Sequence, residues 1–159
     1  MIDRPIRPLF EEGFNCETQV VAMVLSADSE NDPDMLGIVG ASAALTISDI
    51  PFHDPIAAVR VGRVGGKLVV NPTHAQRAES TLNIIIAASE KAIVMVEAGA
   101  DNASEDEVLE ALLFGHEQCK RIVAAIQDLR KKAGVTKRTV VKPELDKEAY
   151  AEEIGRAHV

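Results

Sequence analysis

Ser104-Glu105-Asp106-Glu107-Val108-Leu109-Glu110-Ala111-Leu112-Leu113-Phe114-Gly115-His116-Glu117-Gln118-Cys119 is the stretch whose reading decides the fold. Ser104 and Glu107 stand at capping-box spacing: the serine hydroxyl can accept one orphan amide while the glutamate reaches back to another. Val108, Leu112, Cys119, Val123 and Ile126 then recur at helical spacing, and Gly134 follows a last turn carrying Arg130, Lys131 and Lys132. Residues 102–133 therefore predict one long amphipathic helix. His116 is the polar interruption in its apolar series, so its side chain points toward the core. A lone histidine in that setting is usually packed and hydrogen-bonded; no second ligand at metal spacing accompanies it, and catalysis is the minor reading.

N-terminal to this helix, residues 81–88 and 92–97 read as strands joined by Ser89-Glu90-Lys91, and Ile84-Ile85-Ile86 marks a centrally buried strand. Residues 56–64 and 67–70 flank Gly65-Gly66, a pair that can take the positive φ values of a tight primed hairpin turn. Asn71-Pro72-Thr73 ends the hairpin, and residues 74–80 read as a polar connection. Asp32 caps a helix with Pro33 at its first position, running to about Ser48. Its small residues Gly37, Gly40, Ala41, Ser42, Ala43 and Ala44 allow close packing; without Gly-x-Gly-x-x-Gly or a P-loop lysine, phosphate cradling is the weaker reading. The apolar run 19–25 reads as a strand buried on both faces. The fold class expected is α/β (α+β) with a mixed sheet. After Gly134, residues 135–143 read as an extended linker, and Tyr150 and Ile154 in 144–159 begin another helix.

The 159 residues are 47% apolar and only 3% aromatic, enough for an aliphatic core. No apolar run is long enough to span a bilayer and no signal pattern opens the chain, so a cytoplasmic protein is expected. Cys16 and Cys119 lack any Cys-x-x-Cys or metal spacing and read as reduced structural thiols. A net charge of −8 argues against a surface that grips polyanions everywhere. Any nucleic-acid contact is therefore local. The basic clusters are Arg4 with Arg7, Arg60 with Arg63, and Arg130, Lys131, Lys132, Lys137 and Arg138, the last accounted for by the dipole of a helix C-terminus.

Arg4 and Arg7 both precede proline in Ile2-Asp3-Arg4-Pro5-Ile6-Arg7-Pro8-Leu9-Phe10, and three-residue spacing puts them on one face in polyproline II or in a helical turn. Residue type alone describes an ordinary solvated pair beside a proline-rich turn. A paired guanidinium face on a stiffened backbone also suits phosphate oxygens.

That opening, continued by Glu12-Gly13-Phe14, resembles the polynucleotide phosphorylase family. Asn31-Asp32-Pro33-Asp34, Gly40-Ala41-Ser42-Ala43-Ala44-Leu45, Asn71-Pro72-Thr73 and Phe114-Gly115-His116-Glu117-Gln118 resemble it in the same order. The resemblance implies an RNase PH-like βαβ half-domain over 1–134, the C-terminal part of the first and non-catalytic copy. A linker over 135–143 and the start of an all-helical domain over 144–159 would follow. It implies, for the intact protein, 3′-to-5′ phosphorolysis of single-stranded RNA by inorganic phosphate with release of nucleoside diphosphates. A homotrimer, Mg2+ and RNA-degradation complex partners are also implied. Arg4 and Arg7 become the expected RNA and phosphate contacts.

The resemblance implies that the metal and phosphate residues lie in the family's second RNase PH-like domain, in the pattern Asp, five residues, Asp, one residue, Lys. On this chain those positions fall at Arg77, Asn83 and Ile85, and Glu79 is the only carboxylate between Asp54 and Glu90. The expectation is therefore no catalytic and no metal-binding residue in this stretch, and an inert piece. Exposed sheet edges and poor solubility are expected with it. The alternatives are a non-catalytic RNA-binding or assembly module, or a stand-alone RNase PH or exosome-type subunit.

Overall fold

The computed structural model describes residues 1–141. The helix expected over 144–159 and the last residues of the linker lie outside them. The order of elements is α1 (Asp3–Ile6), a 3-10 turn (Arg7–Leu9), α2 (Asp34–Ile47), β1 (Ala57–Val64), β2 (Lys67–Val70), α3 (His74–Ala78), β3 (Leu82–Ala88), β4 (Ile93–Ala100) and α4 (Glu105–Ala133).

The four strands form one sheet in the order β2-β1-β3-β4, antiparallel at every pairing. The expected mixed sheet is corrected by this. β2 and β3 flank β1 and both oppose it, so they run parallel to each other without touching, and α3 is the crossover between them. Gly65 (φ 56°) and Gly66 (φ 76°) make the turn between β1 and β2, with Val64 paired to Lys67.

Alternation along the strands sorts the core. Ala58, Ile85, Ala87 and Met95 pack with Phe52 and with Met35, Ile38, Ala41 and Leu45 of α2. Ala57, Val59, Val61, Leu82, Ile84 and Ile86 pack with Ala111, Cys119 and Val123 of α4. The helix α4 approaches closely at Gly115: a Cβ there would lie 2.3 Å from Ile86 Cδ1 and 3.0 Å from Val61 Cγ2. Its capping box forms as the sequence predicts, and Gly134 ends it at φ 64°. His116 is half-buried, and Nε2 lies 3.1 Å from the Ser89 carbonyl, to which it must donate.

Three further expectations change. Residues 19–25 are not a buried strand: among the described residues no strand pairs with them, and Val21, Met23, Val24 and Leu25 are exposed. A two-sided strand needs neighbours for its amides and carbonyls, and this run instead lines an apolar groove of about 460 Å3 with Leu36, Gly37, Gly40 and Ala44. The start of α2 shifts by one residue: Pro33 is the N-cap, although Asp32 Oδ1 still accepts the Asp34 amide at 3.3 Å. Residues 74–80 hold α3 rather than a featureless connection. Thr73 Oγ1 accepts the Gln76 amide and Gln76 Oε1 accepts the Thr73 amide.

Candidate functional site

The three positions singled out in sequence converge. Arg77 from α3, Asn83 and Ile85 from β3, Arg60 from β1, Asp32 before α2 and Glu97 from β4 line one recess of about 300 Å3. Their convergence follows from strand parity, since Arg60 projects to the same side of the sheet as Asn83 and Ile85.

Arg60 organises the recess. Its side chain is 8% exposed, forms an ion pair with Asp34, lies 3.9 Å from Asp32 and donates through Nη1 to Asn83 Oδ1 at 2.6 Å. Its backbone is held as firmly: the Arg60 amide donates to Asn71 Oδ1 at 2.9 Å, and the Asn71 amide donates to the Arg60 carbonyl at 2.7 Å. That two-way grip requires Asn71 at φ 47°, a left-handed conformation that asparagine tolerates better than most residues. Arg77 Nη1 donates to Asp32 Oδ2 at 2.9 Å. Burial pushes the Asp32 carboxyl up, but the Arg77 hydrogen bond, the Asp34 amide and the Arg60 charge outweigh it and hold the group below the usual carboxylate range.

Two carboxylates thus meet two guanidinium groups. Sequence reasoning confined to residues 54–90 missed Asp32, Asp34 and Glu97, which arrive from the loop before α2 and from β4. The signal in sequence is Asn31-Asp32-Pro33-Asp34, which marks the start of a helix and carries part of the family resemblance, but nothing in it says that its two carboxylates meet Arg60 and Arg77. The donor set does not fit a divalent cation: Asp32 and neighbouring Asp34 are each paired with arginine, Ile85 offers no donor, and Glu97 supplies only a single further carboxylate. Among the described residues no three His, Cys, Asp or Glu side chains come together at metal-binding range.

The other basic residues are also placed. Arg63 projects to the opposite side of the sheet and pairs with Glu110 of α4 at 2.6 Å, so Arg60 and Arg63 do not make a shared basic patch. Lys137 Nζ donates to the carbonyls of Leu45 (2.7 Å) and Ser48 (2.8 Å), tying residues after α4 to the C-terminal end of α2. Arg4 is exposed on α1. Arg7 is exposed too, but its Nε and Nη2 donate to Asp3 at 3.0 and 2.5 Å. Both arginines are helical despite preceding proline, and the i, i+3 spacing keeps them neighbours. No helix among the described residues is long and apolar enough to cross a membrane.

Residues 1–51 match the model of the 3′ exoribonuclease family, domain 1, and residues 54–118 match that of the 3′ exoribonuclease family, domain 2. The chain belongs to the 3′ exoribonuclease family. Within it, the similarity is to polyribonucleotide nucleotidyltransferases. The chain is 61% identical over 145 residues to the one from Koribacter versatilis, covering 91% of this chain and 18% of that protein. Against that of Solibacter usitatus it is 57% identical over 159 residues, 100% of this chain and 23% of the other. Against that of Geobacter sulfurreducens it is 57% identical over 145 residues, 91% and 21%. The chain thus spans about a fifth of the length of these relatives. A crystal structure of rice (Oryza sativa) Rrp46 superposes with a TM-score of 0.57 at 14% identity, over 66% of this chain and 51% of that one, a likeness of RNase PH-type α+β fold.

Proposed function

We propose that this chain is the non-catalytic RNase PH-like part of a phosphorolytic 3′-to-5′ exoribonuclease, a polyribonucleotide nucleotidyltransferase. Residues 1–134 form the later part of the first RNase PH-like copy, and residues from 135 onward lead toward a helical domain. The observation that carries this reading is the recess itself. Where a phosphoryl-transfer site needs carboxylates free to hold Mg2+ and a lysine to neutralise phosphate, this one presents Arg77, Asn83 and Ile85, no lysine in its lining, and Asp32 and Asp34 taken up by Arg77 and Arg60. In the intact cytoplasmic enzyme Mg2+ belongs to residues outside this stretch.

The part played by this stretch is then RNA contact and assembly. Arg4 on α1 and Arg7 on the 3-10 turn that follows it are exposed and offer two guanidinium groups to the phosphates of single-stranded RNA. The Asp3 carboxylate that holds Arg7 is itself solvent-exposed, and a surface pair of this kind is readily exchanged for a phosphate. The exposed run 19–25 and the outer edges of β2 and β4 are surfaces for the rest of a homotrimer.

The test is phosphate-dependent release of nucleoside diphosphate from a labelled single-stranded RNA with Mg2+, beside binding titrations across salt. The expected result is no turnover with salt-sensitive binding. Arg4→Ala with Arg7→Ala should lower the log–log salt slope by about 1.4, roughly 0.7 per lost contact on a single strand. Turnover would overturn the non-catalytic reading, and an unchanged slope would overturn the assignment of the two arginines.

A further inference from the structure

The chain has only four phenylalanines, and three of them form a row whose outer two share a cavity with Arg7. Phe52 is fully buried; the Phe10 ring lies 5.8 Å from it, tilted by 60°. The Phe14 ring lies 5.8 Å beyond Phe10 with only 5° between their planes. Phe10 and Phe14 are half-buried, so the three rings run from core to surface in a chain otherwise packed with aliphatic side chains. The outer two line a cavity of about 590 Å3 together with Asp3, Arg7 and Thr18.

The chemistry of this cavity has two parts. Parallel rings at its wall offer π faces to a flat partner. Arg7 is anchored through Nε and Nη2, which leaves the two N–H groups of Nη1 to donate elsewhere, and its charge is balanced by Asp3. A flat aromatic ring attached to an anion matches both, and the volume accommodates a nucleotide.

We infer that this cavity is a stacking site for one base of a single-stranded RNA, the base lying against Phe14 while Arg7 holds the adjoining phosphate. The inference rests on the reading of Arg4 and Arg7 as RNA contacts and adds a base-dependent component to it. Every base has a π face, so the site tolerates any sequence. A base paired in a duplex is stacked on its neighbours and unavailable to it.

The experiment compares binding of a labelled oligouridylate with that of an abasic ribose-phosphate oligomer of the same length, at several salt concentrations. The native chain should prefer the base-bearing strand by about tenfold, within the roughly 5- to 160-fold worth of one stacked base. Phe14→Leu should erase that preference and leave the salt slope intact. The native-chain comparison needs no variant, so it stands even if Phe14→Leu folds poorly. Equal affinity for the two oligomers, with a slope that still falls on Arg4→Ala and Arg7→Ala, would overturn the stacking site alone. A preference that survives Phe14→Leu would do the same. If the arginine variants change neither affinity nor slope, the underlying RNA reading fails and the stacking site fails with it.

Discussion

Arg77 on α3 and Asp32 before α2 are joined by a 2.9 Å hydrogen bond that ties a five-residue helix to a loop more than forty residues away in sequence. With the Arg60–Asp34 pair beside it, this bond matches two guanidinium groups to two carboxylates at the recess. The consequence is structural rather than chemical, and it can be measured.

Asp32 titrates below the ordinary carboxylate range, so between its native and unfolded pKa values the unfolded state binds the extra proton. The stability that Asp32 contributes is therefore fully present above about pH 4 and lost as the pH falls through its lowered value. Native chain and Arg77→Ala, compared by urea unfolding from pH 7 to pH 2, should differ at neutral pH and converge in acid. A gap that does not close in acid would show that the difference does not come from the Asp32 charge.

Arg60 is the only cation among the described residues with a side chain less than a tenth exposed that bridges Asp34 and Asn83. Arg60→Met keeps much of its length but leaves Asp34 without its counter-charge. The expected loss is about 2–3 kcal/mol, below the 3–5 of a fully buried broken pair because both carboxylates keep some contact with solvent. Replacing Asp34 by Asn in the Arg60→Met background should recover part of that loss, and a wholly additive double mutant would argue against the pairing.

Gly115 sits where α4 crosses β1 and β3. Alanine there gains up to about 1 kcal/mol of helix propensity, but its methyl meets Ile86 Cδ1 and Val61 Cγ2 in a region with no exposure. Overpacking of this kind costs about 1–3 kcal/mol, so Gly115→Ala should be neutral to destabilising by about 2 kcal/mol. A clear rise in the thermal midpoint would mean that helix and sheet do not approach this closely.

The two cysteines should separate cleanly. Cys16 is exposed and Cys119 is buried, its Sγ 3.8 Å from the Ile86 carbonyl, and burial pushes the Cys119 thiol from an ordinary value near 9 up to about 12. Alkylation of the native chain, read by mass spectrometry, should modify Cys16 alone until the protein is unfolded. Because the unfolded thiol ionises first, Cys119 favours the fold below pH 9 and that contribution is lost as the pH rises from 9 toward 12. Cys119→Ser should flatten this alkaline limb, at a lower overall stability.

Local rules written into short stretches of sequence determined much of this molecule. Ser104 with Glu107 started α4, Gly134 stopped it, Gly65-Gly66 turned β1 into β2, and the isoleucines of β3 put it at the centre of the sheet. Thr73 with Gln76 carries the same kind of signal for α3, a capping box at Ser104–Glu107 spacing. Residues 19–25 show the limit of such rules, because an apolar run becomes a strand only when other strands supply its hydrogen bonds. The recess shows it again: Arg77, Asn83 and Ile85 could be picked out by spacing, but the pairing of Arg60 with Asp34 and of Arg77 with Asp32 depended on distant segments meeting. Whether an arginine is a solvated cation, a phosphate contact or half of a buried pair is set by what the folded chain brings within about 3 Å of its guanidinium, and residue type alone does not specify that. Arg4, exposed on α1, and Arg60, closed in by carboxylates, are the same side chain given opposite surroundings by tertiary structure.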